Sequence, residues 1–125
     1  MTIILSKKHS MLRDHPLYPT FLVNLWKYKD RVVPIRMDSV AGLEYLKAQG
    51  IEPDIIYIDA DHHYSAVKRD IEMCLKLFPS AILVGDDYGN YDDVRRAVHE
   101  CAVATMKSGK RLFVWFDGMW INFEY

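Results

Sequence analysis

From residue 18 onward the apolar positions switch between helical and extended spacing, which predicts helix and strand in alternation. Phe21, Leu22, Leu25 and Trp26 recur at helical intervals, and Pro19 suits a first helical turn because its missing N–H would be unpaired there anyway. Arg31 to Met37 reads as a strand, confined by Pro34 to an edge or a bulge because proline cannot donate to a sheet ladder. Ser39 is placed to cap a helix carrying Val40, Leu43 and Leu46, and Gly50 to end it. The run Asp54-Ile-Ile-Tyr-Ile-Asp59 is nearly continuous in β-branched and aromatic residues, as expected of a central strand covered by helices on both faces.

Val67, Ile71, Cys74, Leu75 and Phe78 form the next helical stripe, which Pro79-Ser80 stops, and Ala81-Ile-Leu-Val-Gly-Asp86 follows as a second buried strand. The last predicted helix has Asp92 and Asp93 at its positive end and Val94, Val98 and Cys101 on one face. Two strand-like runs, Arg111 to Phe116 and Met119 to Tyr125, flank Asp117-Gly118, a dipeptide suited to a two-residue hairpin turn with positive φ. The order predicts an α/β fold: a doubly wound, Rossmann-like, mostly parallel sheet closed by a C-terminal antiparallel hairpin at or near one edge.

At 125 residues, with 50% hydrophobic and 26% charged positions, the chain reads as a single domain, residues 1–125, large enough for a core without disulfides or a structural metal. A net charge of -1 gives no field to attract nucleic acid or an anionic membrane, so neither is an expected partner. Only three consecutive apolar residues precede Ser6-Lys-Lys, too few for a signal-peptide core, which predicts a cytoplasmic protein. Cys74 and Cys101 read as core thiols.

Ligands of open α/β sheets bind beyond the carboxyl ends of the strands, which directs attention to Asp38, to Asp59-Ala-Asp61-His62-His63-Tyr64 and to Gly85-Asp86-Asp87-Tyr88. Asp59 and Asp61 lie two residues apart, so in an extended chain both side chains point to one side, roughly 6–7 Å apart. With Asp86 and Asp87 on an adjacent strand, four carboxylates would converge, a costly arrangement unless a cation or shared protons compensate. A hard divalent cation such as Mg²⁺ suits oxygen ligands of this kind. Their other reading is as helix caps or turn residues. His62 or His63, beside the cluster, could act as general base or proton relay, or simply cap the following helix. Tyr88 would line an acceptor pocket or pack at its loop, and Trp115, Phe116, Trp120 and Phe123 read as hairpin packing, with no basic groove to suggest nucleobase stacking. His15 and His99 join no constellation.

Ile56-Tyr-Ile-Asp-Ala-Asp-His-His-Tyr64, Ala66-Val-Lys-Arg-Asp-Ile71, Ile82-Leu-Val-Gly-Asp-Asp-Tyr88 and Asp93-Val-Arg-Arg-Ala-Val98, in this order, resemble the class I S-adenosylmethionine-dependent methyltransferases. The similarity is greatest to the small-molecule O-methyltransferase branch with metal-dependent members, and covers Tyr18 to Tyr125. It implies methyl transfer to a hydroxyl of a small-molecule acceptor, such as a sugar or natural product. It further implies that Asp59, Asp86 and Asp87 hold Mg²⁺ and that Asp61 takes the hydroxyl proton, with His62 as the alternative base. Asp38 and Asp59 would meet the cofactor, S-adenosylmethionine. The family's first strand and glycine-rich turn have no counterpart ahead of Tyr18, where Thr2-Ile-Ile-Leu could form one short strand but Ser6 to Ser10 contains no glycine. The chain therefore reads as an N-terminally truncated member lacking the first strands, and an exposed sheet edge predicts a homo-oligomer.

Two other functions compete. A non-catalytic, truncated domain would serve as a binding or assembly module. A haloacid dehalogenase-type phosphatase also places Asp-x-Asp and Gly-Asp-Asp after strands, but His63 stands where that family has Thr or Val.

Overall fold

The computed structural model describes residues 2–5, 17–107 and 111–124. Five strands form one mixed sheet in the order β1-β2-β3-β5-β4, with β1 at Thr2–Leu5, β2 at Ile55–Ile58, β3 at Ile82–Gly85, β4 at Arg111–Phe116 and β5 at Met119–Glu124. The pairs β1–β2 and β2–β3 are parallel, and β5 lies antiparallel between β3 and β4. The short N-terminal strand and the terminal hairpin are thus present where the sequence suggests them. Asp117 and Gly118 turn the hairpin with φ of 48° and 82°, the double positive φ that joins strands by two residues.

Helix α1 spans Leu17–Leu25, continues into a 3₁₀ turn at Trp26–Tyr28 and buries no residue. Arg31 to Met37 is a correction: the segment forms no strand. Pro34 offers no N–H, Val33 is 83% exposed, and the parallel position beside β2 is held by Thr2–Leu5 instead. Ser39 is a second correction. Asp38, not Ser39, caps α2 (Ser39–Ala48), its carboxylate accepting from the Val40 N–H at 3.1 Å. The Ser39 hydroxyl instead donates to the buried carboxylate of Asp70 at 2.8 Å, which Arg69 also engages, and so ties the start of α2 to α3 (Tyr64–Leu77). Gly50 ends α2 as expected, with φ of 70°. Its N–H reaches the Lys47 carbonyl and that of Ile51 the Leu46 carbonyl, which satisfies two of the helix's last acceptors.

The predicted stripes of α3 and α4 (Asp92–Met106) face the core. Val67, Ile71, Cys74, Val94, Val98 and Cys101 join Leu43 and Leu46 of α2 against Ile56, Ile58, Leu83 and Trp120 of the sheet. Burial pushes the Cys74 thiol up to about 12 and that of Cys101 to about 11, consistent with core thiols. Arg111 anchors the hairpin: its guanidinium donates to the Asn122 side chain at 2.5 Å, to the Ala81 carbonyl at 2.8 Å and to the Pro79 carbonyl.

The expectation of helices on both faces does not hold among the described residues. Apart from the hairpin's return, the strand order runs one way, from β1 through β2 and β3 to β4. Right-handed crossovers that all move in one direction lay their helices on one face. The inward residues of β2 and β3 are buried while Ile55 and Ile82, which alternate with them, are each 38% exposed. Among the described residues, α2, α3 and α4 therefore form one helical layer on a mixed sheet, an α/β architecture. No helix among the described residues is long and apolar enough to cross a membrane.

Candidate functional site

β2 and β3 end in register, with Ile58 opposite Gly85, so Asp59 and Asp86 are the first residues beyond the sheet on adjacent parallel strands. Gly85 is required at this point: a Cβ there would lie 2.3 Å from the indole of Trp120, which crosses the strand end from β5. Asp59, Asp61, His62, Asp86 and Asp87 line one cleft, with Ile58, Val67, Val94 and Trp120 as its apolar wall.

Asp87 has φ of 63°, a left-handed conformation that costs an L-residue about 1–2 kcal/mol and that aspartate tolerates better than most. Local hydrogen bonds hold it. Its N–H donates to Asp86 Oδ1 at 2.8 Å, its Oδ1 accepts from Asn90 Nδ2 at 3.1 Å, and its Oδ2 lies 2.7 Å from His62 Nε2. The His62 ring in turn stacks on Tyr91, the residue before α4, at a centroid distance of 4.3 Å. Asp59, His62 and Asp87 each offer a ligand atom, and these atoms lie within 4.8 Å of one another.

Asp86 is directed elsewhere. Its Oδ2 accepts from the Tyr57 hydroxyl at 3.3 Å. Burial, with the charges of Asp86, Asp59 and Asp87, holds the Tyr57 phenol above its ordinary pKa, so it remains a donor. Asp61 is paired with His63: its Oδ1 accepts from the His63 backbone N–H at 3.1 Å and lies 2.6 Å from His63 Nδ1. The neighbouring histidines thus serve different carboxylates, His62 that of Asp87 and His63 that of Asp61. Asp38 lies outside the cleft, at the start of α2, with Arg69 3.8 Å from its carboxylate.

Of the expected site residues, the fold therefore brings Asp59, Asp61, His62, Asp86 and Asp87 together and leaves Asp38 apart. The group of mutually close ligand atoms contains His62 where the resemblance implies Asp86. Tyr57, Tyr91, Asn90 and His63 are supporting residues that sequence reading does not single out in those roles. Tyr57 alternates with the inward residues of β2, which was the available signal. Tyr88 stacks on Trp115 at 5.7 Å, and its N–H donates to the Gly118 carbonyl at 2.8 Å, fastening the acidic loop to the hairpin turn. Trp120 is buried as hairpin packing, Phe116 is 80% exposed, and His99 is exposed on α4. His15 and Ser6 to Ser10 lie outside the described residues.

Two carboxylates and an imidazole fit a divalent cation: the oxygens suit Mg²⁺, and the nitrogen extends the range to Mn²⁺ or Zn²⁺. A dinucleotide-type crevice in an open α/β sheet forms where the strand order reverses. Among the described residues the order does not reverse, apart from the hairpin's return. Residues 9–88 match the family model of a methyltransferase domain, a span that runs through β2, α3 and β3 to the acidic loop. No curated protein matches the chain.

Proposed function

Because the chain belongs to the methyltransferase-domain family, that of the class I S-adenosylmethionine-dependent enzymes, we propose that its acidic cleft is the metal and acceptor half of a methyl-transfer centre. The acceptor is a hydroxyl-bearing small molecule such as a sugar or natural product. The observation that carries this reading is the convergence of Asp59, His62 and Asp87 at the ends of two adjacent strands. Asp59 and Asp87 would hold the divalent cation, Mg²⁺ by the chemistry of their oxygens, with His62 as third ligand or as a base. Asp86, fixed by Tyr57, positions the Asp87 backbone through its 2.8 Å hydrogen bond.

A divalent cation held by Asp59 and Asp87 would supply Lewis acidity toward the acceptor hydroxyl. Asp61 would accept the hydroxyl proton, its carboxylate steadied by the His63 ring and backbone N–H. Asp61→Asn is expected to spare cation binding and abolish turnover.

A second reading follows from the uninterrupted strand order: the chain is a binding or assembly module that retains the acidic cleft without a methyl-donor pocket. Calorimetric titration of S-adenosylmethionine and its demethylated product, with and without Mg²⁺, separates the two. Cation-assisted micromolar binding supports the catalytic reading. Absence of binding to the folded protein supports the module.

A further inference from the structure

Among the described residues, the sheet face opposite α2, α3 and α4 is uncovered and apolar. Register places Ile55 beside Ile82 and Val114 beside Ile121, while Leu112 and Phe116 alternate with Val114 on the same face. These six side chains are between 36% and 80% exposed. Together they present on the order of 600 Å² of apolar surface, the upper end of what a soluble monomer shows.

We propose that a second copy of this chain covers this face, sheet against sheet. Three properties favour a copy over another occupant. None of the six side chains carries a charge, so two copies meet without burying an unpaired ion. Joining them removes about 1,200 Å² from water, the threshold of a specific, stable interface. The patch is a regular twisted sheet, and two such faces stack about 10 Å apart with their strands within about 30°. The interface is isologous, the same patch on both copies. It differs from edge-to-edge pairing in that the two copies meet through side chains on the sheet face, contributed by β2, β3, β5 and β4, and not through the backbone groups of an edge strand.

Sedimentation of the full chain across the micromolar range tests this. The native protein is expected to be a dimer, and the Ile82→Lys/Ile121→Lys double variant a monomer with a native circular dichroism spectrum. Val23→Lys, at a 73% exposed position of α1 outside the six-residue patch, should remain dimeric. Should the double variant not fold, Phe116→Glu replaces it: that position is 80% exposed, and at least tenfold weaker dimerisation is expected. A native monomer throughout the range would overturn the proposal. So would a folded double variant that stays dimeric, which would indicate pairing through an edge strand, or a Phe116→Glu protein of unchanged affinity.

Discussion

His62 Nε2 lies 2.7 Å from Asp87 Oδ2, and the imidazole is held there by its stack on Tyr91. One side chain from the loop after β2 and one from the loop after β3 are thereby joined into a single donor set. Replacing His62 with Ala is expected to weaken Mn²⁺ binding by about 10–100-fold, the usual effect of disturbing the shell around a metal. Mg²⁺, which favours oxygen, should be affected less. Calorimetry with both ions reads the difference, and equal losses would assign His62 a structural role only.

Gly85 makes room for Trp120. A methyl group at residue 85 would meet the rigid indole at 2.3 Å, so Gly85→Ala should destabilise the fold by about 1–3 kcal/mol as the ring or strand end is displaced. Urea unfolding followed by tryptophan fluorescence measures this, and an unchanged midpoint would show that the two strands separate freely there.

The Tyr57 phenol reports the charge of the cleft. Burial and then the carboxylates of Asp86, Asp59 and Asp87 raise its pKa, and a bound divalent cation offsets the carboxylate part. Spectrophotometric titration of the native protein against Tyr57→Phe should show a late-ionising tyrosine that shifts to lower pH when cation is added. A phenol indifferent to saturating cation would place the ion elsewhere.

The thiols of Cys74 and Cys101, raised to about 12 and about 11, set an alkaline limit on stability. The unfolded chain loses these protons near the ordinary thiol pKa of about 8.5 while the folded protein keeps them. Above that value the folded state binds more protons than the unfolded, so stability falls as pH rises toward 11 to 12. Thermal melting should decline over this window, and less steeply for Cys74→Ala than for the native chain. A parallel decline in both would contradict the assignment for Cys74.

Local chemistry carried the legible part of the fold. Asp117-Gly118 announces its turn because the two-residue hairpin demands positive φ, and Gly50 its helix end for the same reason. The acidic cleft was legible because Asp59 and Asp86 each directly follow an apolar strand. What failed depended on partners distant in sequence. Val32, Val33 and Ile35 look like a strand, but Pro34 weakens one and Thr2–Leu5 takes the parallel position beside β2. The apolar run of β2 looks like a strand buried on both faces, and only the direction of successive crossovers shows that Ile55 is left bare. Asp38 and Ser39 are equally able to cap a helix, and the buried Asp70, 31 positions on from Ser39, draws the serine away. His62 and His63 are alike in sequence, and their division between Asp87 and Asp61 follows from where the loop turns into α3.

The proposed function requires a divalent cation between Asp59 and Asp87 at the carboxyl ends of β2 and β3. Titration of Mn²⁺, followed by electron paramagnetic resonance, into the native protein, Asp59→Asn and Asp87→Asn tests it most directly. One saturable site is expected in the native chain, lost in both variants while their melting temperatures stay close to native. Unchanged Mn²⁺ affinity in both folded variants would contradict it.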